Sequence, residues 1–208
     1  MKILRKLYIK STNLTGGYQD DRSKLLSLYK LWAPFYDYTV RLDPAYNRNL
    51  YRMIRSTVAV NDRTLDIGCG TGLGAMAASR IAKTVLGIDP SATMLGKLKK
   101  KIKKHALSNI ETRAGFFPQA IKADEKFNSI VTSFMLAHLI PVQRSEVIKA
   151  MRDCLENDGR VGIFGARGEV APAFQTRMEM EANLSSAGFS NYVIEDVDDI
   201  YRIAIAEK

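Results

Sequence analysis

The sequence predicts an α/β protein: a doubly wound, mainly parallel sheet of seven strands that ends in an antiparallel hairpin, under a helical N-terminal cap. Three observations carry this. After about residue 60, short β-branched runs alternate with amphipathic helical stretches, a rhythm that places a parallel sheet between two helical layers. The last two strand-like runs are joined only by Asp198-Asp199-Ile200, too short for a parallel crossover, so they pair antiparallel. The first 60 residues instead hold the densest aromatic cluster of the chain, from Tyr8 to Tyr51, on segments with helical spacing.

Taken in order, residues 22–32 and 43–58 read as helices interrupted at Pro34. Residues 1–60 are expected to cap, and to belong to the same domain as, residues 61–208. Strands are expected at 64–67, 84–88, 110–113, 129–133 and 160–164, then at 189–197 and 201–207. Helices are expected at 74–82, 91–105, 141–156 and 171–187. Asp158-Gly159 marks the stop before the fifth strand, and Ala187-Gly188 the stop before the final pair.

A chain of 208 residues need hold only one domain. Its composition, 46% hydrophobic and 25% charged, excludes a disordered chain. No run approaches the roughly 20 apolar residues of a membrane span, and Met1-Lys2-Ile3-Leu4-Arg5-Lys6 lacks the apolar region of a secretory signal. Cys69 and Cys154 are too few for a disulfide framework and show no metal-ligand spacing. A cytoplasmic protein without a metal is expected.

The net charge of +9 is uneven: Lys97 to Lys104 holds six lysines in eight residues. Met94, Leu95, Leu98 and Ile102 form the apolar stripe of that helix, leaving the lysines as a solvated face or as a basic patch. A patch would suit peripheral contact with an anionic membrane, an anionic substrate or RNA. The lack of interleaved aromatics for base stacking counts against RNA.

The most informative segment is Leu65-Asp66-Ile67-Gly68-Cys69-Gly70-Thr71-Gly72-Leu73-Gly74, between a strand and a helix. Alternate glycines let backbone amides approach a ligand, and the helix N-terminus adds partial positive charge. Asp89 closes the next strand, where a carboxylate can accept both hydroxyls of a ribose. Gly70-x-Gly72-x-x-Ala75 also meets the relaxed dinucleotide fingerprint. Asp66 argues against that reading, because a pyrophosphate beside it would be repelled, whereas a ligand amine would be favoured.

This loop resembles the signature of the class I S-adenosylmethionine (SAM) dependent methyltransferases, and Gly87-Ile88-Asp89-Pro90-Ser91-Ala92-Thr93-Met94-Leu95 resembles their second motif. The resemblance runs from about Tyr29 to Lys208 and implies a Rossmann-like sheet, SAM as cofactor and S-adenosylhomocysteine (SAH) as product. Trp32-Ala33-Pro34-Phe35-Tyr36-Asp37 is similar to the opening of quinone C-methyltransferases and bacterial phospholipid N-methyltransferases. By that resemblance the Gly68, Cys69, Gly70, Thr71 and Gly72 backbone would flank the methionine part of SAM. Asp66 would orient its amino group through water, Asp89 would hold the ribose, and Pro90 is a further cofactor-binding candidate. Met94, Gly115, Phe116 and Ser133 would border the remainder. Phe116 stands where the family usually has an aspartate for the adenine amino group, so stacking and a backbone contact would replace it.

Transfer from a sulfonium needs alignment of nucleophile, methyl and sulfur, and for some acceptors a base. Tyr29 and Tyr36 are candidates for closing over the cofactor by cation–π attraction, or are core aromatics of the cap. His138, just past the fourth strand, is a candidate general base or a packing residue. Arg167, in the turn after the fifth strand, is a candidate for meeting an anionic acceptor. Neither cysteine has the setting of a cytosine-methylating nucleophile, and Thr132-Ser133-Phe134-Met135 is not the Asn/Asp-Pro-Pro-aromatic motif of nucleobase amine methylation. The expected acceptor is therefore a small-molecule or lipid-like substrate and not a nucleic acid. An RNA methyltransferase and a non-catalytic SAM-binding module are the alternatives.

Overall fold

The computed structural model describes residues 26, 27, 30, 31, 37, 38, 40 and 42–208. Seven strands form one sheet in the order β3-β2-β1-β4-β5-β7-β6. They are β1 (Arg63–Ile67), β2 (Thr84–Asp89), β3 (Ile110–Ala114), β4 (Phe127–Ser133), β5 (Leu155–Ala166), β6 (Asn191–Val197) and β7 (Tyr201–Glu207). The β2–β3, β1–β2, β1–β4 and β4–β5 pairs are parallel, and β7 runs antiparallel to both β5 and β6. The sheet therefore has the seven strands and the closing hairpin that the sequence predicts. The hairpin adds a feature: its second strand inserts between β5 and the first.

Helices α1 (Pro44–Thr57), α2 (Leu73–Ala78) and α3 (Ala92–Lys104) supply one layer, and α4 (Pro141–Cys154) and α5 (Arg177–Ser186) the other. The central strands are buried on both faces, which explains their continuous Val, Ile and Leu content. Helix α1 starts at Asp43, whose side chain accepts from the Ala45 amide at 3.0 Å, with Pro44 at the first helical position. It buries Tyr46, Leu50, Met53 and Ile54. Tyr46 joins Phe134, Phe164 and Tyr201 in tilted and edge-on ring contacts of 5.2–6.4 Å. Arg48 Nη2 donates to both carboxylate oxygens of Asp198 and Arg52 Nη2 to both of Glu195, fastening the helix to the closing hairpin.

Among the boundaries that differ from the sequence expectation, two have a clear physical reason. Helix α4 stops at Cys154, because Leu155 is already in register with Phe127 and both are fully buried, so β5 begins before Asp158-Gly159. Helix α5 begins at Arg177 and not at 171. Thr176 caps it by accepting from the Glu179 amide, while Glu179 accepts in return from the Thr176 amide at 2.7 Å. Of the expected helix at 22–32, only residues 26, 27, 30 and 31 are described, and all four are helical.

Candidate active site

The glycine loop leaves β1 and bends back through three left-handed residues, Gly68, Gly70 and Gly72. Its fold is fixed by the Cys69 amide donating to Ile88 at 3.0 Å and the Gly72 amide donating to Cys69 at 2.8 Å. Gly72 must be glycine twice over: its φ is +91°, and a Cβ there would lie 2.2 Å from Leu98 of α3. Gly70 has φ +54°, and a Cβ on it would meet nothing closer than 4.0 Å, so its backbone faces open space.

That space is a cleft of about 290 Å³ at the carboxyl edge of β1, β2, β3 and β4. Of the expected site residues, Gly68, Gly70, Asp89, Pro90, Met94, Gly115, Phe116, Ser133 and His138 line it together. Leu26, Phe117, Pro118, Phe134 and Leu139 add apolar wall, and Gln119, Gln143 and Glu146 add polar groups that the sequence reading did not single out. Both oxygens of Asp89 are engaged from the protein side, one by the Gly70 amide at 2.9 Å and the other by the Ser91 amide at 2.8 Å. Burial raises its carboxyl above the ordinary value, partly offset by those two amides.

The other expected cofactor residues sit one layer behind. Asp66 is 2% exposed and packs beneath the start of α2, where a Cβ on Gly74 would be 2.8 Å from its Oδ2. Burial pushes its carboxyl up to about 7, against the pull of the Ala75 amide and with help from the charge of Asp89. Cys69 turns its thiol inward against Gly87, and burial pushes that thiol well above its usual range, as expected of an inert side chain. Thr71 donates to Asp37 at 2.6 Å, and Lys101 reaches both Asp37, at 2.6 Å, and the Thr71 carbonyl, at 2.9 Å. Asp37, the last residue of the Trp32–Asp37 opening, thus ties the N-terminal segment to the glycine loop. Tyr29 and Tyr36 lie outside the described residues.

Past β4, Phe134 takes φ +62°, a strained conformation for a bulky residue, and its amide donates to Phe164 at 2.8 Å. The strain turns the chain sharply into a 3-10 turn, Met135–His138, that carries Met135 and His138 to the cleft. Arg144, 4% exposed, holds the turn from below: Nε donates to the carbonyls of Leu136 and Leu139, and Nη2 to that of Ala173. Burial pushes the His138 imidazole down to about 4, so it stands neutral at physiological pH. Outside the cleft lining, Glu125 clamps the loop after β3: it accepts two bonds from Arg113 and one from Arg63, and these hold its carboxyl down at about 2. Arg167 lies outside the cleft lining, with its Nε 3.4 Å from Asp196 and 3.9 Å from Glu169.

A methyltransferase-domain family profile matches residues 64–159, the stretch from the start of β1 into β5. The chain is also 30% identical over 146 residues to an uncharacterized methyltransferase of Staphylococcus carnosus, covering 68% of this chain and 67% of that protein. The chain is a class I SAM-dependent methyltransferase. It is 28% identical over 137 residues to a ubiquinone biosynthesis O-methyltransferase of Rhodopseudomonas palustris, covering 59% of this chain and 53% of that protein. In fold it is similar to the DhpI–SAH complex, with a TM-score of 0.73 at 23% identity, covering 87% of this chain and 93% of that one. A SAM-dependent methyltransferase from Aquifex aeolicus superposes with a TM-score of 0.66 at 18% identity, covering 79% and 93%. The cofactor of the family is SAM, and the cleft of this methyltransferase fits it. The open backbone at Gly70 leaves room for a close approach, and a buried Asp66 oxygen has no hydrogen-bond partner among the described residues. Among the described residues, no helix is long and apolar enough to cross a membrane, and no cluster of metal-ligating side chains occurs.

Proposed function

We propose that this enzyme methylates a small-molecule or lipid-like acceptor held in the apolar part of the cleft. The observation that carries the reading is the single cleft in which the open backbone at Gly70 and the Asp89 carboxylate meet Phe117, Phe134, Leu139 and His138. Bound SAM would supply a methyl group already activated by its sulfonium charge. The backbone from Gly68 to Gly72 would hold its methionine part. Asp89, with acceptor capacity left on each oxygen, would take the ribose hydroxyls. Met94, Pro90, Gly115, Phe116 and Ser133 would border the remainder. Asp66 would meet the amino group only through a water beneath the loop. His138, neutral at physiological pH, would accept a proton from an acceptor hydroxyl or, where no proton must leave, only orient the acceptor. The apolar walls exclude water from the methyl group.

The likeness to a ubiquinone O-methyltransferase supports a quinone-like acceptor. Incubation with labelled SAM and a lipid extract of the source cell tests this: label is expected in small lipid-soluble products. Label confined to RNA would instead support an RNA methyltransferase, and SAM binding without any transfer a non-catalytic module. The exposed Lys99, Lys100, Lys103 and Lys104 of α3 support peripheral contact with an anionic membrane, each lysine contributing about 1 kcal/mol near such a surface. Neutralising Lys99, Lys100 and Lys103 should abolish sedimentation with anionic vesicles, and unchanged sedimentation would remove the membrane from the reading.

A further inference from the structure

We infer that the acceptor part of this cleft is built for an uncharged molecule and rejects acceptors that bring a phosphate or carboxylate into it. The inference rests on the methyl-transfer reading of the same cleft. The chain has 31 Lys plus Arg against 22 Asp plus Glu, yet no Lys or Arg occurs among the described residues that line the cleft, whereas Asp89 and Glu146 both do. Two cations on elements beside it are committed elsewhere. Arg144 shares α4 with the lining residues Gln143, Glu146 and Val147, but its guanidinium points down to the carbonyls of Leu136, Leu139 and Ala173. Lys101 is held by Asp37 and the Thr71 carbonyl. The exposed lysines of α3 lie on the outer surface and are absent from the lining.

Apart from the Glu146 carboxylate, what the described lining offers an acceptor is neutral. Gln119, Ser133 and Gln143 offer uncharged donors and acceptors, and half-buried His138 stays in its neutral form at physiological pH. Phe117, Phe134 and Leu139 offer apolar surface to a ring or chain. An anion entering here would give up its hydration without gaining a counter-charge from any described lining side chain, and it would face a carboxylate at Glu146. A neutral hydroxyl on an apolar body pays neither penalty. The two acceptor chemistries suggested by the Trp32–Asp37 opening are thereby separated: a quinol-like head suits the lining, and a phosphorylated amine does not.

The test uses the full chain saturated with SAH and two probes of one skeleton, 4-octylphenol and 4-octylphenyl phosphate, titrated calorimetrically. The phenol should bind at least about tenfold more tightly than the phosphate. Glu146→Lys, at an exposed position of α4, should strengthen phosphate binding several-fold and leave phenol binding within about twofold. Equal or tighter binding of the phosphate by the unmodified protein, an unchanged ratio in Glu146→Lys, or binding of neither probe would each overturn the inference. Failure of SAH itself to bind would strike the methyl-transfer reading instead. The probe ratio would then be read on the cofactor-free protein and would judge the inference by the same criterion.

Discussion

Replacing Asp89 with alanine tests the cofactor geometry most directly. The side chain is 9% exposed at the end of β2, with one oxygen tied to the Gly70 amide at 2.9 Å and the other to the Ser91 amide at 2.8 Å. A carboxylate has about four lone-pair sites, so two remain for the ribose hydroxyls once these amides are served. A hydrogen bond to a charged group contributes about 1.5–3 kcal/mol. Loss of even one ribose contact should therefore weaken SAH binding by about ten- to 150-fold. The substitution also leaves two loop amides without an acceptor, which should lower the thermal midpoint of the ligand-free protein. Titration calorimetry with SAH and thermal unfolding without ligand separate the two effects. A lowered midpoint with SAH affinity within about threefold of the unmodified protein would show that Asp89 only shapes the loop, and would refute the ribose assignment.

Other expectations follow from the same geometry. The carboxyl of Asp66 is raised from 3.8 to about 7, so between those values the folded state binds more protons than the unfolded state and stability falls as pH rises. The shift corresponds to roughly 4 kcal/mol lost across that window. Urea unfolding at pH 5 and pH 8 should show Asp66→Asn losing much less on the alkaline side, and an identical pH dependence would refute the buried-acid reading. Arg144→Met leaves the carbonyls of Leu136, Leu139 and Ala173 without their donor and should cost about 2–4 kcal/mol in denaturant unfolding. A change within about 0.5 kcal/mol would deny the residue its part in holding the 3-10 turn. His138→Gln should lower kcat by about 100-fold while SAH affinity stays unchanged, if the acceptor proton leaves through the imidazole. An unaltered kcat would make His138 a wall of the cleft and nothing more.

The alternation of β-branched and amphipathic runs, the left-handed glycines after β1 and Asp89 at the end of β2 were legible because they depend on interactions a few residues apart. Backbone sterics, strand periodicity and a carboxylate two residues from the Ser91 amide are local, and a linear chain displays them. Thr176-x-x-Glu179, the capping box that marks the start of α5, is equally local. The early start of β5 was not legible, because whether Leu155 ends a helix or begins a strand depends on Phe127 lying beside it in the sheet. The tertiary structure alone brought Asp37 to Thr71 and Lys101, and turned one lysine of a solvated run into a clasp on the glycine loop. It also drew Arg144 under the 3-10 turn and left the cleft of a basic protein lined, among its described residues, by carboxylates, neutral amides and apolar side chains. Such pairings join residues that neighbour one another only after the sheet has formed. Charge and burial at a point are set by everything packed around it, and no stretch of sequence contains that sum.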